Sequence, residues 1–244
     1  MKTLLRPLPS RCTTLLCMIL FATPLSAQVD AADQQTLTAS TGALGDYFGI
    51  SVALSGDVAI VGSMFDDDGA SQAGSAWVFR FDGTAWVEEE QLLASDGTQP
   101  LAYFGEFVDI DGNVAVVGST RRDIGGKVDA GAVYVYRSQG STWVEEQILT
   151  PSDAIAGHNF GAVAIDDGVI AVGAHGDDGA GVDAGAVYFF KFNGLSWVET
   201  QKVIGSDMTG GNQAARCVAL DGNVAVFGDS VDAGAAVDAG AAYV

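Results

Sequence analysis

Beyond residue 27 the chain is a succession of short apolar runs broken by stretches rich in Asp and Gly. Nowhere in it is there the 3.6-residue periodicity of a long helix. A short run opens each set: SVAL (51–54), FVDI (107–110), AVAI (162–165) and CVAL (217–220). Turn signals follow at Ser55-Gly56, Asp111-Gly112, Asp167-Gly168 and Asp221-Gly222, because glycine between two apolar runs supplies the positive φ of a tight hairpin. The second run is DVAIVG (57–62), NVAVVG (113–118), VIAVG (169–173) or NVAVFG (223–228). After a loop comes a third, SAWVFRF (75–81), AVYVYR (132–137), AVYFFKF (186–192) or AAYV (241–244). A half-polar fourth run, AWVEEEQLL (85–93), TWVEEQIL (142–149) or SWVETQKV (196–203), completes three of the sets.

The sets are copies of one unit. Phe48-Gly49, Phe104-Gly105 and Phe160-Gly161 recur at a spacing of 56 residues, and Ala-Gly steps at Ala73, Ala130, Ala184 and Ala239 open the third runs. A fixed period of this length signals a repeat architecture. Runs two and three are apolar almost throughout, so both faces of each strand are covered, whereas a two-sheet sandwich would alternate along most strands. An inner pair of buried strands with a partly wet outer strand is the signature of a propeller blade. The predicted fold is therefore all-β, a β-propeller of about four four-stranded blades, with repeats at about 41–96, 97–153, 154–207 and 208–244. The fourth copy reaches Val244 without a fourth run, and residues 34–40 resemble the end of one. Pairing that segment with the last copy would close a ring and remove two open edges; the rival expectation is part of a larger propeller.

Composition narrows the partners. The formal charge is −20, which disfavours nucleic acid and anionic lipid. Lys2, Arg6 and Arg11 precede an apolar stretch (12–22), and Ser26-Ala27 offers a cleavage site, so residues 1–27 read as a signal peptide. The stretch is shorter than the roughly 20 residues a spanning helix needs, so no transmembrane segment is expected in the mature chain, residues 28–244. Cleavage would leave Cys217 as the single cysteine, expected as an inert thiol in a buried strand, and no internal disulfide. The expected location is outside the cell, at its surface or in the periplasm.

The Phe-Gly pairs, the Val-Gly steps and the Ala-Gly-Ala-Val-Tyr strand together resemble the FG-GAP repeat of integrin α-subunit N-terminal propellers and bacterial secreted proteins. The resemblance covers about 34–244 and implies an extracellular β-propeller used in binding or adhesion. It weakens in the fourth copy, where Ala215-Arg216 stands at the expected Phe-Gly, and in the steps Gly62–Met64, Gly118–Thr120, Gly173–His175 and Gly228–Ser230, which lack Gly-Ala-Pro. The calcium loop that the integrin likeness implies has no counterpart, since the first two strands are joined by a two-residue turn. Asp109, Asp111 and Asn113 look like a fragment of it, but side-chain alternation along a strand is expected to keep them from one ion.

Other chemistry is sparse. The loops between the second and third runs gather carboxylates on one rim, and Asp66, Asp68, Asp177, Asp178 and Asp183 are the weak candidates for a hard cation such as calcium, although no cofactor is required. The simpler reading is an acidic, solvated rim whose aspartates cap turns. Gly179–Ala184 matches a dinucleotide fingerprint formally but precedes a strand, which excludes that use. His158 and His175 lack zinc-ligand spacing and are expected in loops. The phenylalanines of the Phe-Gly pairs are expected as wedges between blades, and Trp86, Trp143 and Trp197 as interblade packing ahead of an aromatic platform. No catalytic residue is singled out. The expected function is an exported, non-catalytic binding or adhesion module with an extracellular protein or glycan partner; a carbohydrate-active propeller enzyme and a structural part of a longer surface array are the alternatives.

Overall fold

The computed structural model describes residues 35–231 and 239–244, so the predicted signal peptide lies outside the described residues. Four antiparallel meanders follow one another. Blade one holds β1 (Val52–Ser55), β2 (Val58–Ser63), β3 (Ser75–Phe81) and β4 (Trp86–Leu92). Blade two holds β5 (Phe104–Asp111), β6 (Val114–Ser119), β7 (Ala132–Ser138) and β8 (Trp143–Leu149). Blade three holds β9 (Phe160–Asp166), β10 (Val169–Ala174), β11 (Ala186–Phe192) and β12 (Trp197–Val203). Among the described residues blade four has three strands, β13 (Val218–Asp221), β14 (Val224–Asp229) and β15 (Ala241–Tyr243). The sheets form the blades of a propeller, and no helix is present among the described residues.

Local chemistry sets each meander. The first hairpin turns through two residues in every blade, with Gly56, Gly112 and Gly222 leading at positive φ and Asp167-Gly168 taking the fourth instance. A register shift falls between the third and fourth strands at Val78/Phe79, Val135/Tyr136 and Phe189/Phe190, the same place in each complete blade. Such a bulge increases local twist, as blades packed around an axis require.

The core lies between blades. Val58, Ile60 and Val78 of blade one meet Phe104, Val108, Ile110, Tyr134 and Trp143 of blade two. Val114, Val116 and Val135 meet Phe160, Val163, Ile165, Tyr188 and Trp197 in the next joint. Phe104 and Phe160 are buried in these joints, as wedges, and each makes edge-to-face contacts with aromatics of its own blade. Trp143 and Trp197 are buried in the same joints, which leaves neither as a surface platform.

Three expectations are corrected here. Residues 35–40 do not close a ring onto blade four. Gln35 exchanges two hydrogen bonds with the Trp86 backbone, Ser40 bonds Glu88, and Leu37 and Ala39 pack against Val61, Trp77 and Phe79. Interblade packing joins blade one to two, two to three and three to four; nothing of like extent joins four to one among the described residues. Second, the counterpart of Phe-Gly in the fourth copy is Ala214-Ala215. The residue before the pair has positive φ in each copy (Tyr47, Tyr103, Asn159, Gln213), and Gly62, Gly118 and Gly173 face the carbonyls of Gly105, Gly161 and Ala215 in turn. Third, Cys217 is exposed: among the described residues no blade covers that side of the first strand of blade four.

Candidate functional site

Two polar clusters stand out, and both arise because repeat-equivalent residues land at equivalent ends of neighbouring blades. The first is at the outer part of the joint between blades two and three. Asp153 and His158 come from the β8–β9 connection, Asp177 from the β10–β11 loop, Tyr188 from β11 and Lys202 from β12. Their polar atoms converge: Lys202 Nζ lies 2.7 Å from Asp153 Oδ2 and 2.6 Å from Asp177 Oδ2, while the Tyr188 hydroxyl lies 2.7 Å from an oxygen of each carboxylate and has one proton to donate between them. His158 Nε2 is 3.4 Å from Asp177 Oδ2.

Asp153, His158 and Asp177 are close enough together to suggest a metal centre. The charge balance argues otherwise. The ammonium of Lys202 sits between the two carboxylates and supplies the positive charge an ion would bring. Burial pulls Lys202 down, but its bonds to Asp153 and Asp177 outweigh that and hold it above the ordinary lysine range. Burial raises Asp153, but Lys202 and Tyr188 more than offset this and leave it below the usual carboxylate range. Burial holds His158 below the ordinary histidine range, against the pull of Asp177 and Asp153. Asp177 is fully enclosed, and its second oxygen accepts the Gly179 N–H.

The other joints play the same theme with exchanged parts. At the joint between blades one and two, Tyr134 donates to Asp96 and the cation is Arg122, from the loop position that Asp177 fills in blade three. At the last joint Tyr243 donates to Asp207. In blade one, Asp66 is buried and accepts from Ser75, the Asp68 N–H and Gln91, while Asp68 accepts from Thr41. Burial raises Asp66 above the ordinary range. Asp178 accepts the Asp183 N–H, and Asp183 itself sits at φ 53°. Among the described residues Asp177 gathers with Asp153 and His158, not with Asp178 and Asp183, and the Asp183 carbonyl accepts the Gln213 N–H of the next blade.

Asp109 and Asp111 also need a revised account. Two residues apart on β5, they share a face, and both point at blade three: Asp109 accepts the Ile165 N–H at 2.7 Å and Asp111 the Asp167 N–H at 3.0 Å. Alternation therefore did not separate them; backbone N–H groups occupy their oxygens.

The second cluster lies where the first strands begin. Glu106 and Arg216 follow the Phe-Gly pair and its Ala-Ala counterpart, and Thr120, Arg121 and His175 follow the Val-Gly steps of blades two and three. Thr120 donates a short hydrogen bond to Glu106, Arg121 stacks 4.7 Å from the centroid of the Tyr103 ring, and Arg216 bonds Gln213. Burial pushes Glu106 up against the pull of Arg121 and Arg216. Burial, then Arg216 and Arg121, brings His175 down to about 4. Both arginines are exposed, whereas Arg80, Arg122, Arg137 and Lys202 are in ion pairs. Neither cluster was visible as a motif, because its members come from separate copies. The signal was the repeat phase itself.

A cleft of about 840 Å³ separates blades three and four, lined by Phe189, Val203, Ile204, Leu220, Phe227 and Tyr243 among others. Beside it β15 pairs with Phe227–Asp229 of β14. No helix among the described residues is long and apolar enough to cross a membrane.

Sheets that meet only through their neighbours, with loops gathered at their ends, define a repeat β-propeller. The FG-GAP repeat model matches residues 32–79, 86–136, 143–190 and 197–244, and the chain belongs to that family. Each later match runs from the fourth strand of one blade through the third of the next. None of the curated proteins compared with the chain matches it. Among solved structures it is similar to Sqt1 of Saccharomyces cerevisiae at 11% identity and a TM-score of 0.42, covering 67% of this chain and 38% of that one. The chain therefore spans less than half the length of that protein.

Proposed function

We propose that this chain is an exported FG-GAP binding module that does no chemistry, and that it engages an extracellular protein or glycan through the rim formed by Glu106, Arg121, His175 and Arg216. FG-GAP repeats suggest a propeller-type binding or adhesion module and are typical of extracellular proteins. The observation that carries the choice of rim is the pair of exposed arginines on a chain of charge −20, next to a histidine kept neutral. Guanidinium groups held by stacking and side-chain bonds suit carboxylate or sulfate groups, which they recognise with paired N–H donors. The buried joint cluster at Asp177 supports the frame rather than the ligand.

The test is a glycan and extracellular-protein array, run with calcium and with chelator. Binding that falls at least tenfold in R121A/R216A, with the melting temperature unchanged, is expected. A ligand whose binding ignores that double variant would move the site elsewhere, and turnover of an arrayed glycan would overturn the non-catalytic reading. Signal lost on chelation alone would return the acidic rim of Asp66, Asp68, Asp177, Asp178 and Asp183 as a calcium site.

A further inference from the structure

A row of aromatic rings runs across blades one and two and ends at an arginine of the rim. Tyr47 meets Phe65 at 4.9 Å between ring centroids, and Phe65 meets Tyr103 of the next blade at 5.1 Å, both edge to face. Arg121 ends the row, its guanidinium 4.7 Å from the centre of the Tyr103 ring. The row is open to solvent: Tyr47 is 60% exposed, Phe65 and Tyr103 are half-buried, and Arg121 is exposed. Tyr103 and Arg121 belong to blade two, which packs against a blade on each side, so their access to solvent owes nothing to the ends of the chain.

These residues fill two recurring positions of the repeat. One precedes the Phe-Gly pair (Tyr47, Tyr103, Asn159), and the other lies just past the Val-Gly step (Phe65, Arg121, Gly176). The backbone ties the two positions together in each blade. The Phe65 N–H bonds the Asp46 carbonyl, the Arg121 N–H the Ala102 carbonyl, and the Gly176 N–H the His158 carbonyl. Blade three makes this tie with Asn159 and Gly176 and no ring at either place. The backbone arrangement therefore does not require the aromatics.

Two of them are also strained. Tyr47 and Tyr103 hold φ 56° and 58°, a left-handed conformation that asparagine adopts far more readily than a bulky side chain. Asn159, at φ 51°, is the undemanding occupant of the same place. Strained residues of this kind concentrate at binding and catalytic sites, where the surrounding structure holds them.

The chemistry of the row selects a ligand. Rings with an apolar body and a wet phenol tip suit a sugar, which offers an apolar ring face edged with hydroxyls. Stacking on Tyr103 fixes the plane of Arg121 and leaves its N–H edge to meet a carboxylate or sulfate with paired donors. A single file of side chains fits a linear chain better than the roughly 800 Å² per partner of a standard protein interface. On a molecule of charge −20, a guanidinium fixed beside rings is the complementary element for an anionic group.

We propose that this row is a glycan track: it binds a linear acidic oligosaccharide, with sugar rings along Tyr47, Phe65 and Tyr103 and a carboxylate or sulfate at Arg121. The assignment rests on the arginine rim being the binding surface and adds the ligand class. Uronates and sulfated sugars present the same chemistry to the row.

Isothermal titration calorimetry on the full chain tests this with a galactose tetrasaccharide, its uronate form, its O-sulfated form and tetraglutamate. At least one anionic sugar should bind, and the tighter of the two identifies carboxylate or sulfate as the recognised group. The neutral sugar should bind roughly tenfold more weakly, and Y103N and F65L should each weaken the anionic sugar by about as much. Y103N installs the residue type that blade three carries there, and F65L keeps an apolar side chain, so circular dichroism and the melting temperature should hold. Binding by neither anionic sugar, binding unchanged in either folded variant, or tetraglutamate bound as tightly as the sugars would each overturn the proposal. Binding that falls in R121A/R216A but ignores Y103N and F65L would remove the track and leave the arginine rim standing. Binding that ignores all of these variants would remove both.

Discussion

The joint between blades two and three and the joint between blades three and four are cut from the same repeat, yet they are filled differently. In the former, Phe160 is fully buried among Val116, Tyr188, Phe190 and Trp197. In the latter its place is taken by Ala214, the core shrinks to residues such as Ala171, Val187, Met208 and Phe227, and a cleft stays open beside it. The backbone approach is nevertheless preserved: Gly173 still faces a carbonyl, now that of Ala215, as closely as Gly118 faces Gly161. Repeat identity thus fixes how blades meet along the backbone, and the side chains set how tightly. Hydrogen exchange should show β13–β15 opening before β9–β11; equal protection would remove the contrast.

The largest effect that separates the two joints is loss of the wedge. Phe160→Ala leaves a cavity in a joint with no solvent route to collapse, and about 3–5 kcal/mol of stability should go with it. Chemical denaturation would measure it, and a loss below about 1 kcal/mol would mean that the joint is no better packed than its neighbour. Next in size is Lys202→Met. Asp177 is enclosed, and removing the ammonium strands its charge with only neutral donors around it. Breaking a buried pair costs about 3–5 kcal/mol, and the partial exposure of Lys202 brings the expectation to about 2 kcal/mol. The double variant with Asp177→Asn should recover part of that; no recovery would show that the lysine acts through its stem rather than its charge.

A pH effect of about 1–2 kcal/mol should follow from His175, after allowing for the part of the ring that water reaches. Its folded value is near 4, below the ordinary 6.5, so both states are neutral above pH 6.5 and it contributes nothing there. Between 6.5 and 4 the unfolded chain takes up a proton that the native ring refuses, and stability falls; below 4 the loss is complete. Asp66, Glu106 and Asp109 act in the opposite sense, because burial raises them and the native state binds their protons first. His175→Gln should therefore flatten the decline from pH 6.5 to 4. An unchanged slope would place its source in other groups.

These contrasts show what the sequence could reveal. Blade number, strand order and the outer-strand character of 35–40 were legible, because apolar period and turn glycines report local structure directly. The fate of 35–40 was not: its glutamine and serine match both a strand waiting for blade four and one already held by Trp86 and Glu88, and only the blade arrangement decides between them. The Asp177 cluster was hidden for a related reason. Asp153, His158, Asp177, Tyr188 and Lys202 span four segments, and each reads singly as a loop or strand residue. Ala214-Ala215 was misread by one position because, without the phenylalanine, only the positive φ at Gln213 and the carbonyl facing Gly173 mark the phase.

The smallest effect is also the most direct probe of that phase. Ala215 and Gly105 hold the same repeat position, both at positive φ, 64° and 84°. At Gly105 an added Cβ would fall 2.1 Å from the Ser75 carbonyl oxygen, so Gly105→Ala should cost several times what the reverse change does at 215. For Ala215→Gly, relief of the left-handed alanine is worth about 1–2 kcal/mol. The extra freedom of glycine in the unfolded chain takes back about 0.4–1 kcal/mol, and the buried methyl about 0.8 kcal/mol. The sum is within about 1 kcal/mol of zero, measurable by denaturation alongside Gly105→Ala. A loss above about 2 kcal/mol at 215 would mean that its methyl fills a joint tighter than the Ala214 site implies, and the contrast between the two joints would then rest on the cleft alone.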